Sequence, residues 1–119
     1  MTQFLDGIAT IASNYEAIVF DQWGVLHDGS APYAGSVDCL EKLANHSVRM
    51  AVLSNSGKRS APNAARIANM GFAPSLFEFV MTSGEALWHD IANATITEAR
   101  FFPIESVAGD AATWADGLD

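Results

Sequence analysis

The sequence has few basic residues and only one cysteine. Six Lys and Arg stand against 14 Asp and Glu, which gives a formal net charge of −8 over 119 residues. Nucleic acids and anionic membranes are bound through clustered Lys or Arg, so this charge balance argues against both as partners. The single cysteine, Cys39, excludes an internal disulfide and fits a reducing compartment. We therefore expect a cytoplasmic protein.

The chain also has no long apolar segment. No apolar run approaches the roughly 20 residues that a membrane-spanning helix needs. The N-terminus shows no basic region followed by an apolar core, so we expect no secretory signal. Hydrophobic residues make up 50 % of the sequence, enough to bury a core. At this length, we expect one compact domain rather than two.

Strand-like and helix-like segments alternate along the chain. Short apolar runs predict buried strands at residues 17–21, 49–53, 77–81 and 100–104. Apolar residues at helical spacing predict helices at residues 2–13, around 37–44, at 60–70, and from a cap at Ser83 onward. Residues 25–33 suggest a hairpin-like excursion. This alternation predicts an α/β fold, a Rossmann-like doubly wound parallel sheet with helices on both faces.

Polar side chains follow the first two predicted strands. Asp21 ends the first strand, and Ser54 and Asn55 follow the second. Ligands of open α/β sheets bind outside the carboxyl ends of the strands, so we expect these residues to converge. A hydroxyl, an amide and turn N–H groups suit a phosphate, and an Asp can attack phosphorus. Both segments are also compatible with ordinary turns, in which Asp, Ser and Asn are common.

Three segments, in order, resemble motifs of the haloacid dehalogenase superfamily of phosphohydrolases, and specifically its class IIA branch. They are residues 20–35, opening with FDQWGVL; residues 52–72, opening with VLSNSG; and residues 82–86, TSGEA. Because the set spans nearly the whole chain in the right order and spacing, it is more specific than its first motif alone.

The resemblance implies a role for each matching residue. Asp21 would be the nucleophile and a Mg²⁺ ligand, and the backbone carbonyl of Trp23 would be a second ligand. Ser54 and Asn55 would bind the phosphoryl group. Mg²⁺ suits such a site because it prefers oxygen ligands. The implied reaction is hydrolysis of a small phosphorylated metabolite, a phosphomonoester, through an aspartyl-phosphate intermediate.

The sequence departs from the family pattern at Trp23, where the family has an acid/base Asp. That role usually contributes ~10²–10⁴-fold to the rate, so proton donation to the leaving group is in doubt. Slow turnover, a restriction to good leaving groups, and a substitute acid such as His27 or Asp28 all stay open. The Trp23 ring either faces the pocket or packs under the flap, the hairpin-like excursion at residues 25–33. We expect His27, His46 and His89 at surface or flap positions.

A second departure concerns the family's later motifs, a Lys and one or two metal-binding Asp. No Lys occurs after Lys58. We therefore expect the 119 residues to be the N-terminal part of a longer enzyme, with an incomplete sheet and no activity alone. Residues 1–98 would belong to the core domain and residues 99–119 would begin the cap. The alternative is a non-catalytic α/β module that binds a phosphorylated ligand or has a regulatory role.

Overall fold

The computed structural model describes residues 4–118, so residues 1–3 and 119 lie outside the description. Five helices and three strands are formed within that range. In chain order they are α1 (Ala9–Ala12), β1 (Ala17–Phe20), α2 (Ser36–Asn45), β2 (Arg49–Ser54), α3 (Ser60–Asn69), β3 (Val80–Thr82), α4 (Ser83–Ala92) and α5 (Asp110–Ala115). A single 3₁₀ turn, Pro74–Leu76, precedes β3.

The three strands form a parallel sheet in the order β1-β2-β3. Phe20 pairs with Val52, and Ser54 pairs with Thr82. Each step to the next strand passes through a helix, and such crossovers are right-handed in nearly all proteins. Two successive steps in one direction therefore place α2 and α3 on the same face of the sheet. The predicted α/β fold with a parallel sheet is confirmed.

One face of the sheet is the core of the domain. Met50 and Val52 of β2 pack with residues of α2 and α3, and Phe72 after α3 is completely buried. The apolar spacing in α2 explains this packing, since Leu40 and Leu43 lie on one side of the helix. Burial of such side chains contributes about 1.5–3 kcal/mol each.

The other face of the sheet is largely open within residues 4–118. Side chains in parallel strands alternate between faces, and Val19 and Leu53 point away from the core with 59 % and 55 % of their surface exposed. Phe79, just before β3, is 53 % exposed. The three strands therefore form one half of a doubly wound sheet, which agrees with the prediction that the sheet is incomplete.

Several predicted boundaries were wrong. Residues 100–104 form no strand. Pro103 lacks the N–H that a ladder needs, and Phe102 and Ile104 are almost fully exposed. The strand predicted at 77–81 covers only Val80–Thr82.

The predicted helix at 2–13 is also shorter than expected. It covers only Ala9–Ala12 among the described residues; residues 2 and 3 lie outside them. Gly7 disfavours an earlier helical start. At the other end of the chain, helix α5 covers Asp110–Ala115.

Candidate functional site

Asp21 and Ser54 lie at the carboxyl ends of neighbouring strands. Phe20 is level with Val52 across the pair, and adjacent strands are about 4.8 Å apart. Asp21 is exposed, and its Oδ1 accepts the backbone N–H of Gln22 at 2.8 Å. Ser54 is 7 % exposed, so its hydroxyl lies at the base of the loop that follows β2. Asn55, also in that loop, is exposed.

Gln22 holds the turn after Asp21 through its backbone carbonyl and its side chain. The Gln22 carbonyl accepts the N–H groups of Leu26 at 2.8 Å and His27 at 3.2 Å, which closes the turn. The Gln22 side chain is buried and donates through Nε2 to Oδ1 of Asn63 in α3 at 3.0 Å. Sequence reasoning missed this amide pair. The partners are 41 residues apart, and nothing in their local sequence indicates that they meet.

The loop after β2 is held by its own serine side chains. The Ser54 hydroxyl oxygen accepts the N–H of Ser56 at 3.2 Å, and the Ser56 hydroxyl oxygen accepts the N–H of Lys58 at 3.2 Å. Among residues 4–118 the Ser54 hydroxyl accepts this bond and donates none, so its O–H proton is available to another group. Asn63 also donates to the Ser56 hydroxyl oxygen at 3.4 Å. Asn63 therefore connects the two loops.

The first turn of α4 anchors the same loop from its other side. Thr82, fully buried, donates its hydroxyl proton to the Lys58 carbonyl at 2.6 Å and accepts the N–H of Glu85 at 3.0 Å. Thr82 is thus the N-cap of α4, and the prediction of Ser83 as cap was one residue off. A Cβ at Gly84 would lie 2.1 Å from the Gly57 carbonyl oxygen. Only glycine permits this approach of backbone to backbone.

An ion pair completes the anchor. Arg59 donates to both carboxylate oxygens of Glu85, at 2.9 and 3.0 Å, and its guanidinium lies 4.0 Å from the centre of the Trp88 ring. The N–H of Ser60 at the start of α3 donates to Glu85 at 2.8 Å. The hydrogen bonds from Arg59 and Ser60 lower the pKa of Glu85 to about 2. Glu85 therefore supplies the negative charge that the N-terminus of α3 favours.

The flap contains the predicted hairpin. Bridges link Trp23 to His27 and His27 to Pro32, and Tyr33 donates its N–H to the Leu26 carbonyl at 3.0 Å. The two other histidines, His46 and His89, are exposed as predicted.

His27 lies in the flap, one of the two placements predicted for it, but its side chain is only 1 % exposed. Its Nδ1 accepts the N–H of Gly29 at 2.9 Å, so the ring proton resides on Nε2. Nε2 has no partner among the described residues. Burial and the Arg66 charge lower the pKa of His27 and keep it neutral. The hairpin closes over this ring.

Asp28 is used within the flap itself. Its carboxylate accepts the N–H groups of Ala31 and Ser30, each at 2.8 Å. These hydrogen bonds lower the pKa of Asp28. The side chain therefore stays ionised near neutral pH and has no proton to donate.

The Trp23 ring packs against the flap while remaining 63 % exposed. Gly29 lies against it: a Cβ there would be 2.8 Å from Cζ2 of the indole, and the Gly29 φ of +101° also excludes most side chains. The guanidinium of Arg66 lies 5.3 Å from the ring centre and donates to the Gly29 carbonyl. Flap and ring are thus held together by a cation of α3.

Two oxygen atoms near Asp21 suit a hard cation. The Trp23 carbonyl and Oδ2 of Asp21 receive no hydrogen bond from residues 4–118. Over the same residues, no group of three or more His, Cys, Asp or Glu side chains could hold a metal ion. Mg²⁺ often uses one or two carboxylates and keeps several waters. The residues present therefore fit part of a magnesium site.

Comparisons with known proteins agree with this architecture. The model of the haloacid dehalogenase-like hydrolase family matches residues 18–107. The crystal structure of a haloacid dehalogenase-like family hydrolase from Brucella suis 1330 superposes with a TM-score of 0.80 at 26 % sequence identity. The match covers 98 % of this chain and 41 % of that one. No curated protein matches.

The fold and the match define an α/β protein of the haloacid dehalogenase type. The chain belongs to the haloacid dehalogenase-like hydrolase family, as the resemblance of its motifs predicted. It spans less than half the length of the Brucella suis hydrolase. None of the helices in the described part of the chain is long and apolar enough to cross a membrane.

Proposed function

We propose that this protein is a Mg²⁺-dependent phosphohydrolase of the class IIA branch that hydrolyses a small phosphomonoester through an aspartyl phosphate. The observation that supports the proposal most directly is the position of Asp21, an exposed carboxylate at the end of β1 beside the anchored loop after β2. The site lies outside the carboxyl ends of parallel strands, where α/β proteins bind ligands.

In the proposed reaction an oxygen of Asp21 forms a bond to phosphorus while the bond to the leaving oxygen breaks. Water then attacks phosphorus, which restores the Asp21 carboxylate and releases phosphate. Ser54 and Asn55 would hold the phosphoryl oxygens through their hydroxyl and amide groups. Positioning and charge stabilisation dominate this chemistry, and the anchored loop supports both.

Positive charge in the proposed site has two sources. The Lys58 side chain is exposed and joins no ion pair within the described range, whereas its neighbour Arg59 is bound to Glu85. Lys58 is therefore the cation of this loop that is free to attract a phosphate. A bound Mg²⁺, held by Asp21 and the Trp23 carbonyl, would neutralise charge on the phosphoryl group.

The test is phosphate release by the full-length gene product with Mg²⁺ and with EDTA. We expect Mg²⁺-dependent activity that Asp21→Asn abolishes and that Asp38→Asn leaves intact, because Asp38 lies on the surface of α2 and pairs with Lys42. Acid-quenched protein should contain an acyl phosphate that hydroxylamine removes. Equal activity in wild type and Asp21→Asn would refute the nucleophile. Phosphate binding without turnover would instead support the non-catalytic module.

A further inference from the structure

Neither of the two candidate substitute acids of the flap, His27 and Asp28, is placed to protonate a leaving group. Trp23, two residues after Asp21, carries an indole, whose N–H does not ionise near neutral pH. His27 is buried beneath the hairpin with Nδ1 bound to Gly29, so its ring does not reach a ligand. The Asp28 carboxylate accepts two backbone N–H groups of its own turn. Neither flap residue replaces the missing acid.

A phosphoryl transfer without an acid depends on the stability of the departing oxyanion. Brønsted behaviour makes proton donation most valuable for basic leaving groups and of little value for weakly basic ones. An alkyl phosphate, whose alkoxide is strongly basic, would react slowly at such a site. A phenyl phosphate releases an aryloxide, which delocalises its charge, is far less basic than an alkoxide and therefore depends much less on protonation.

The Trp23 ring offers a surface for an aromatic leaving group. Two residues of chain span at most about 7 Å, so the indole begins close to Asp21. It is 63 % exposed although Gly29 and Arg66 contact it, and these contacts fix its orientation. A fixed, exposed indole stacks planar rings. The same residue that removes the acid therefore provides an aromatic platform.

From these observations we infer that the substrates are aryl phosphomonoesters, with Trp23 as the specificity-determining residue that stacks on the aryl group. This inference rests on the proposed function. In the first step Asp21 bonds to phosphorus, the bond from phosphorus to the aryl oxygen breaks, and the electron pair leaves with the aryloxide. Water then hydrolyses the aspartyl phosphate, and its proton passes to solvent.

The test compares leaving groups in the full-length protein with Mg²⁺. Substituted phenyl phosphates vary leaving-group basicity, benzyl phosphate keeps the ring but leaves as an alkoxide, and acetyl phosphate leaves easily but has no ring. We expect kcat/KM to fall steeply with leaving-group basicity, with phenyl phosphate favoured over benzyl phosphate by about 100-fold or more. Trp23→Asp should restore an acid and raise benzyl phosphate hydrolysis, whereas the matched Trp23→Asn should not.

Stacking is tested separately through KM. Trp23→Ala should raise KM for phenyl phosphate roughly tenfold, a change that lies within the range of aromatic stacking energies. The KM for acetyl phosphate should change little in the same variant. Trp23→Phe should keep most of the affinity for phenyl phosphate. Equal rates for phenyl and benzyl phosphate, with Asp21→Asn inactive, would overturn this inference and leave the proposed function intact. If the protein hydrolyses none of these substrates, or if Asp21→Asn leaves the activity unchanged, both this inference and the proposed function would be overturned.

Discussion

The ion pair between Arg59 and Glu85 should make stability depend on pH in a defined window. The pKa of Glu85 falls from 4.5 to about 2 on folding, and a shift of this size corresponds to about 3 kcal/mol of stability as an upper value. The native state binds fewer protons than the unfolded state here. The contribution is therefore complete above pH 4.5 and is lost as the pH falls toward 2.

Glu85→Gln removes this contribution. We expect the variant to be less stable than wild type by as much as about 3 kcal/mol at pH 7, and the difference to shrink as the pH falls below 4.5. Urea unfolding at pH 7, 5 and 3 measures it. Tryptophan fluorescence is a suitable signal, because Arg59 covers the ring of Trp88, one of the three tryptophans.

Glu78→Gln is the matched control. Glu78 forms the same two-bond contact with Arg49, but on the surface, where the two side chains are 44 % and 65 % exposed. The Glu85 pair is 14 % and 25 % exposed. Solvent screening makes exposed pairs weak, so Glu78→Gln should change stability little at any pH. Equal losses in both variants, or a Glu85→Gln loss that persists unchanged at pH 3, would refute the reasoning.

Two further substitutions test how α4 anchors the loop after β2. Gly84→Ala places a methyl group 2.1 Å from the Gly57 carbonyl oxygen, so the loop after β2 must move. The variant should have a lower thermal midpoint of unfolding and a higher KM for phenyl phosphate. An unchanged KM would show that the loop tolerates the displacement. Thr82→Val keeps the shape but loses the N-cap and the bond to the Lys58 carbonyl; we expect a loss of about 1–3 kcal/mol in urea unfolding, and Thr82→Ser should recover most of it.

Local patterns predicted the elements that depend on local physics. The apolar runs at β1 and β2 and the helical spacing of apolar residues in α3 placed those elements within one or two residues. The same approach failed at 100–104, where apolar composition resembled a strand but Pro103 and the lack of a pairing strand left it irregular. A strand needs a partner, and apolar residues alone do not supply one.

Part of the geometry of the candidate site could be predicted. The sequence places Asp21 and Ser54 at strand ends, and the parallel register brings those ends to one edge. Their proposed chemical roles stay predictions. The burial of His27 and the use of the Asp28 carboxylate within its own turn had no sequence signal, because both depend on how the hairpin closes.

The sequence by itself determined the alternation of strands and helices, the family, and the exchange of an acid for an indole at position 23. These are properties of local pattern and residue type. Only the tertiary structure decided which groups meet: the Gln22–Asn63 bond between loops, the contact of Gly84 with Gly57, and Arg66 over the Trp23 ring. Such contacts join residues 27 to 43 positions apart, and the packing of the whole domain selects them.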